Sequence, residues 1–254
     1  TVTATASAAA STNEKIWLRY SKDNWVTTTT TEMTFTSGTS YAATLNCTSG
    51  DFVSYYVLTT INQTSAPAEV DVDFYTVNYN NNGGKNYTVQ IGPFSGNYYI
   101  PQGTNAKGFD LLSTAVNNIN ATGVGGDVVF YITDNITEPT NVGLGVNTNG
   151  HSITIRPDQD ADRTITFTKL SDNTSPTGHF VIGYLGTGLT SAWSDDNTIA
   201  TSNVTIDGYA EGGSTKRLKF TNANTTHGSR VIVVVGACEN TTIKNCIVEN
   251  TTTN

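Results

Sequence analysis

Short runs of alternating apolar and polar residues dominate the first third of the chain. Between residues 15 and 92 they read "KIWLRYS", "SYAATLNC", "DFVSYYVLTTI", "VDVDFYTVNYN" and "KNYTVQIG". Turn-forming segments such as "TSGTS" and "NNNGGK" separate them. A period of two between turn signals is typical of short antiparallel strands. The pattern therefore predicts an antiparallel β-sandwich over residues 12–92.

The third of these runs shows the alternation most clearly. It predicts two sets of side chains on opposite faces of one strand: Phe52, Ser54, Tyr56 and Leu58 on one, Val53, Tyr55 and Val57 on the other. Trp17 stands inside another alternating run, which favours core packing over exposure.

One helix is predicted, within a linker that covers residues 93–125. In "FDLLSTAVNNIN" the apolar residues recur on one helical face: Leu111, Leu112, Ala115, Val116 and Ile119. Asp110 stands near the start of this segment and Gly123 beyond its end, where helix-capping residues are expected.

From residue 126 to residue 254 a different unit recurs. Strands of three to five residues, such as "DVVFYIT", "HSITIRP", "RTITFTK" and "SNVTIDG", are each followed by an Asn, Asp or Gly turn, and no long helix intervenes. This unit is typical of a parallel β-solenoid, in which each rung packs only on its neighbours. The period is uneven, roughly 20–30 residues, within the range of solenoid repeats.

The two ends of the chain suggest assembly. Residues 1–11, "TVTATASAAAS", are predicted to be a leader or donor-like strand that adds to a neighbouring molecule. In the last rung we expect Ile243 and Ile247 to point inward, Asn245 to stack its amide on the next rung, and Cys246 to fill a small site. Such a rung leaves its apolar end open to water, so we expect the solenoid to be incomplete or capped by a partner.

A family resemblance covers residues 103–254. The stretch "GTNAKGFDLLSTAVNNINATGVGGDVVFYITDNITEP", the phrase "SITIRP" and the later "SNVTIDG" and "ENTTIKNCIVEN" resemble right-handed parallel β-helix (pectate-lyase-like) domains of large secreted Bacteroidota-type surface proteins. The resemblance implies an all-β chain in which a short α-helix caps the first rung. It is weak for activity, because this fold carries lyases, hydrolases and adhesins alike. The first domain is similar in general style to immunoglobulin-like or carbohydrate-binding sandwiches.

Composition points to an extracellular or cell-surface location. The chain has 46 Thr and 27 Asn, only 13% charged residues and a net charge of −8. A surface of hydroxyls and amides is common in secreted proteins, and the absence of a basic cluster argues against a nucleic-acid partner. No run reaches the roughly 18–20 apolar residues of a membrane span. Three cysteines do not make a disulfide scaffold; small buried thiols are favoured, with a Cys238–Cys246 pair as the alternative.

Ten Asn-X-Ser/Thr sequons make the chain a candidate glycoprotein. They lie at Asn46, Asn62, Asn86, Asn120, Asn135, Asn173, Asn203, Asn224, Asn240 and Asn250. The composition alone gives roughly seven, so the sequons permit glycosylation without demonstrating it.

Candidate chemistry is sparse. Asp158, Asp160 and Asp162 alternate as in a calcium loop, which makes a structural Ca²⁺ the one candidate cofactor; a solvated acidic loop is the alternative. Trp25 and Trp193 lie in polar contexts and are candidate glycan-binding residues. For a polysaccharide lyase the available groups are Asp195, Asp196, Asp207, Lys216 and Arg217, but Asp207 before Gly208 reads as a turn residue. We identify no catalytic residue, and the spacing of His151, His179 and His227 suggests no metal site.

Three hypotheses remain open. The preferred one is a non-enzymatic extracellular structural or adhesive protein, the subunit of a filament or stalk, whose partners are its own copies or other surface proteins. The second is the front part of a secreted carbohydrate-active enzyme, a polysaccharide lyase or hydrolase. The third is glycan binding without catalysis.

Overall fold

The computed structural model describes residues 1–61, 65–68, 76–169, 178–184, 199–223 and 230–251. The chain divides into two compact units, Thr1–Ile91 and Gly92–Asn254. Strands dominate both, and the described residues contain one α-helix, so the all-β prediction is confirmed.

Unit 1 consists of two antiparallel sheets. Its strands are β1 (Val2–Thr5), β2 (Glu14–Ser21), β3 (Thr29–Glu32), β4 (Thr34–Ser37), β5 (Ser40–Ala43), β6 (Phe52–Ile61), β7 (Thr76–Asn80) and β8 (Tyr87–Gln90). One sheet has the order β1-β5-β4; the other has the order β3-β2-β6-β7, with β8 also paired to β6. Leu18 and Val53 of the second sheet pack with Tyr41 and Ala43 of the first, so the sheets share one core.

The two faces of β6 follow the predicted alternation. Val53, Tyr55 and Val57 join the core between the sheets. Leu58 and Tyr56 pack on the opposite face with Trp17, which is buried as predicted. The indole N–H of Trp17 donates a hydrogen bond of 2.8 Å to the hydroxyl of Thr60, which satisfies its one polar atom in the interior.

The predicted leader contains an internal strand. Val2 lies opposite Ala43 and Thr5 opposite Ser40, so β1 pairs with β5 of the same chain instead of extending to a neighbour. Its alternating small side chains explain the pairing, because Val2 and Ala4 pack at the edge of the unit 1 core.

Unit 2 consists of three parallel sheets. Its strands are β9 (Phe94–Ile100), β10 (Val124–Ile132), β11 (Ile136–Glu138), β12 (Val142–Leu144), β13 (Ile153–Pro157), β14 (Arg163–Phe167), β15 (Gly178–Ile182), β16 (Val204–Asp207), β17 (Leu218–Asn222), β18 (Arg230–Val234), β19 (Thr242–Lys244) and β20 (Ile247–Glu249). The first parallel sheet is β9-β10-β13-β16-β19, the second is β11-β14-β17-β20 and the third is β12-β15-β18. From β10 onward the chain visits the three sheets in the same rotation.

The length of each rotation varies. In the first parallel sheet, 25 residues separate Val128 from its partner Ile153, 51 separate Ile153 from Val204, and 37 separate Thr205 from Thr242. In this sheet the predicted period of 20–30 residues fits the first rotation only. In the second parallel sheet it fits the first and the last, with 29 residues from Ile136 to Ile165 and 28 from Lys219 to Ile247. The strands keep their register while the segments between them lengthen, as expected where loops tolerate insertion.

Inward side chains form columns across the strands. In the first parallel sheet Phe130 lies opposite Ile155, which lies opposite Ile206, and all three are fully buried. Burial of one such side chain stabilises the fold by about 1.5–3 kcal/mol. Each residue in a column is covered by the equivalent residue of the next strand.

Helix α1 (Leu112–Thr122) covers part of this interior with Leu112, Ala115, Val116 and Ile119. Gly123 ends it as predicted, at φ 81°, and donates its N–H to the carbonyl of Ile119 at 2.8 Å. Its start differs from the prediction: the N-cap is Leu111, which makes no side-chain cap. Among the described residues, no helix has the length and apolarity needed to cross a bilayer.

A carboxylate from strand β11 caps the N-terminal turn of α1. Buried Glu138 of β11 accepts the N–H of Ser113 at 3.2 Å. A negative group is favoured there by the unpaired N–H groups of the first turn. Burial raises the pKa of Glu138, although these N–H groups oppose the shift.

The strands at the far edge of unit 2 are exposed. Ile243 continues the column of Ile206 but is 41% exposed, whereas Ile206 is 0% exposed. Ile243 therefore keeps the predicted inward position, whereas Ile247 is in register with Lys219 instead of with buried Phe220, so the expectation that Ile247 points inward is wrong. Both isoleucines are exposed, Ile247 by 39%. The cause is that no described strand lies outside β19 or β20.

Polar residues at the corners join adjacent strands of unit 2. Asn245, at φ 58°, donates from Nδ2 to Asp207 at 2.9 Å, and Asn240 donates to Asn203 at 3.0 Å. The predicted amide contact of Asn245 is therefore present, with a carboxylate as its acceptor. Cys246 is partly buried, which raises its pKa to about 11, and all three cysteines are free.

We predict that Gly208→Ala destabilises unit 2. A Cβ at Gly208 would lie 1.9 Å from the carbonyl oxygen of Asn245 on the next turn, so the strands must move apart. We expect a loss of about 1–3 kcal/mol in the free energy of unfolding, measured by urea denaturation followed by circular dichroism. The control is Gly213→Ala, whose nearest contact would be 3.2 Å. Equal stability of the two variants would contradict the close approach at Gly208.

Candidate functional site

The outward face of the first parallel sheet carries the richest group of polar and aromatic side chains. Tyr99, Tyr131 and Arg156 are neighbours in register on β9, β10 and β13. Asp207 and Lys244 are paired in register on β16 and β19. Because alternate residues of a strand share a face, these five side chains form one outward column.

Stacked aromatic rings form one end of this column. The rings of Tyr99 and Tyr131 are 5.4 Å apart and inclined by 20°. The hydroxyl of Tyr131 donates to Oε2 of Glu211 at 3.1 Å. Burial and the adjacent Glu211 raise the pKa of Tyr131, so the phenol stays protonated at neutral pH. This end offers apolar ring surface with a polar edge.

Asp207, in the same column, is held by several donors. Its Oδ1 accepts the N–H of Tyr209 at 3.1 Å and Nδ2 of Asn245, and its Oδ2 lies 3.3 Å from Nζ of Lys244. Burial acts to raise the pKa of Asp207, but these donors prevail and the pKa is lowered. The carboxylate is therefore ionised and bound by three donors, and its lowered pKa makes it a poor proton donor and a weak base. The interpretation as a turn residue is confirmed by the bond to Tyr209.

Arg156 contacts the backbone. Its Nε and Nη2 both donate to the carbonyl of Tyr209, at 3.3 and 3.2 Å. This contact joins β13 to the turn that follows β16. The guanidinium therefore positions the turn that carries Asp207.

The predicted calcium loop contains ion pairs instead. Asp158 accepts two hydrogen bonds from Arg163, at 3.0 and 2.9 Å. Arg217 donates to Asp160 at 2.7 Å and to Asp162 at 3.0 Å. Hydrogen bonding to Arg217 lowers the pKa of Asp160. Within the described ranges, no three His, Cys, Asp or Glu side chains are arranged to hold a metal ion.

Of the two candidate glycan-binding tryptophans, the structure describes Trp25. Trp25 is half-buried at φ 68°, and its ring packs on Tyr56 with centroids 5.4 Å apart. Trp193 lies outside the described residues, as do Asp195 and Asp196. The glycan-binding role of the two tryptophans therefore stays a prediction.

The sequons differ in exposure. Asn46, Asn135, Asn240 and Asn250 are exposed, Asn86, Asn120 and Asn203 are half-buried, and Asn62, Asn173 and Asn224 lie outside the described residues. Asn120 donates from Nδ2 to the carbonyl of Gly143 at 2.7 Å, and Asn240 uses its Nδ2 to reach Asn203. A glycan on either nitrogen would replace a hydrogen bond that joins neighbouring segments.

The sequence patterns did not identify two buried titratable side chains. Glu138 caps α1, and His179 of β15 is 0% exposed, with Nδ1 3.0 Å from Oδ1 of Asn141 and its ring stacked on Phe167. Burial lowers the pKa of His179 to about 4. Their only sequence signal was a polar residue within a short β-favouring segment. Their contacts assign them structural roles in the interior.

Comparison with family models, curated proteins and solved structures finds no match to this chain.

We predict that His179 makes stability depend on pH. Because its folded pKa of about 4 lies below the ordinary 6.5, the folded state favours the neutral ring. This contribution is complete above pH 6.5 and is lost as the pH falls toward 4, which costs about 2–3 kcal/mol. His179→Asn keeps a donor for Asn141 and does not titrate. Between pH 7.5 and 4.5 the unchanged protein should lose more of its free energy of unfolding than the variant loses, as measured by urea denaturation. A difference between the two proteins that stays constant over this range would exclude this role.

Proposed function

We propose that this chain is a non-enzymatic structural or adhesive protein of the extracellular surface. In this proposal unit 2 is a right-handed parallel β-helix capped by α1, and unit 1 is an immunoglobulin-like or carbohydrate-binding-like sandwich. The regular rotation of the chain through three parallel sheets supports the β-helix. Handedness is supported by the general rule that connections between parallel strands of one sheet are right-handed in about 98% of cases.

The observation that carries the proposal is the use of charged side chains between successive turns. Arg217, before β17, pairs with Asp160 and Asp162, before β14. Lys244 pairs with Asp207 across β19 and β16. Lys219 and Glu249 lie 2.5 Å apart across β17 and β20. These ion pairs join successive turns, which supports a structural role for the charged side chains.

The enzyme alternative needs a different arrangement. A polysaccharide lyase or hydrolase requires a base or acid with a free lone pair or proton beside an open groove. In the described part of unit 2, Asp158, Asp160, Asp162 and Asp207 are all bound by cationic side chains. The contacts therefore favour a structural role over catalysis.

The exposed strands of unit 2 supply a surface for assembly into a filament or stalk. Val234, Ile243, Ile247 and Val248 are large apolar side chains between 39% and 49% exposed. Stacking of another β-strand layer on β19 and β20 would bury them and would pair their free backbone groups. In this proposal the layer comes from a copy of the chain or another surface protein.

We predict that the purified chain associates through these strands. Electron microscopy and light scattering should show filaments or concentration-dependent oligomers, and Ile243→Lys with Val248→Lys should abolish them, because both changes place charge in the stacked surface. The matched control is Ile61→Lys, an exposed apolar residue of unit 1.

Two results would contradict the proposal. One is a monomer at all concentrations for the unchanged chain. The other is release of unsaturated product from an acidic polysaccharide, lost on Asp207→Ala, which would identify a lyase.

A further inference from the structure

A cleft of about 530 Å³ lies between the two sheets of unit 1. One wall is the leader, residues 2–10, and the other is formed by β2, β6, β7 and β8. The leader carries Val2, Ala4 and Ala6 where larger side chains would fill the space. Both walls include strands at the edge of their sheets, β1 and β7. The volume lies within the range of about 300–1,000 Å³ that small-ligand sites occupy.

The register of the second sheet determines which side chains meet the cleft. Tyr55 lies opposite Tyr87, Val57 opposite Asn80, and Thr59 opposite Asn78. Tyr55 and Val57 share the face of Val53, which packs toward the first sheet. Paired residues of antiparallel strands project to the same face, so the two tyrosines and the two asparagines project into the space between the sheets.

The aromatic part of the cleft is a stacked pair. The rings of Tyr55 and Tyr87 lie 5.5 Å apart with an angle of 24° between them. The hydroxyl of Tyr87 donates to Oδ1 of Asn80 at 2.9 Å. The Nδ2 donor of Asn80 is on the same amide group, so the orientation of this donor is set by Tyr87.

The polar part of the cleft is almost free of charge. Ser7, Asn78 and Asn80 in the lining carry hydroxyl and amide groups. The charged residue of the lining is Glu14, whose Oε2 already accepts the N–H of Ser11 at 3.2 Å. Thr59 also lines the cleft, and its buried hydroxyl makes no hydrogen bond among the described residues.

We infer that this cleft binds a neutral saccharide. Such a ligand has an apolar ring face that fits an aromatic surface and hydroxyl groups that pair with amides and hydroxyls. An acidic sugar would meet Glu14 without a cationic partner in the lining, so a carboxylated ligand is disfavoured. The inference is independent of the proposed assembly, because unit 1 contains the whole site.

The test uses the full chain and titration calorimetry with maltotriose, cellotriose and mannotriose, with trigalacturonate as the acidic probe. At least one neutral trisaccharide should bind saturably, and trigalacturonate should bind more weakly. Asn78→Ala with Asn80→Ala removes two exposed amides and should weaken binding about tenfold or more. Tyr87→Phe removes only the hydroxyl that orients Asn80 and should have a smaller effect in the same direction.

The control is Trp25→Ala, since Trp25 does not line the cleft. Its affinity should equal that of the unchanged chain, and thermal unfolding of each variant verifies that unit 1 is folded. Absence of saturable binding, preference for trigalacturonate, or loss of binding in Trp25→Ala but not in the asparagine variant would each overturn the inference. Those results would leave the assembly measurements unaffected, so the two proposals fail separately.

Discussion

In-register stacking of side chains across parallel strands is the interaction on which unit 2 depends. One rotation of the chain forms a single layer, and a single layer cannot surround its own apolar side chains. Each layer is dry only where another covers it, as the contrast between buried Ile206 and exposed Ile243 demonstrates. Phe180 and Phe220, with ring centroids 6.1 Å apart and planes within 6° of parallel, show the same relation between two different sheets. Stability here is therefore shared between neighbouring layers.

Asparagine side chains at the corners of unit 2 also join successive layers. Asn149, Asn203, Asn240 and Asn245 all have positive φ, a conformation that asparagine tolerates better than most residues. At three of these corners, those of Asn149, Asn240 and Asn245, the amide also donates to the layer before it, so one residue type both turns the chain and joins the layers.

Much of the architecture could be predicted because it depends on local patterns. Alternation identified the two faces of β6, and Gly123 marked the end of α1. The lengths of the later rotations could not be predicted from the sequence, because they depend on loops that carry no periodic hydrophobic pattern. The same limit applies to the site residues: nothing local distinguishes Asp160 as a calcium ligand from Asp160 as the partner of Arg217, 57 positions later. Glu138 was missed because its partner is the start of a helix that lies 25 residues earlier in the chain.

The two units differ in how completely side chains fill their interiors, and this difference also affects which polar groups are available in each. In unit 2, large apolar residues fill most of the described inner positions, and several ion pairs join successive layers. In unit 1, alanines on the leader leave space between two sheets, and the residues facing that space keep hydroxyl and amide groups. A tightly packed interior leaves little room for a ligand, whereas an underfilled core edge trades stability for a cavity. This contrast supports the proposed structural role of unit 2 and the inferred saccharide site in unit 1.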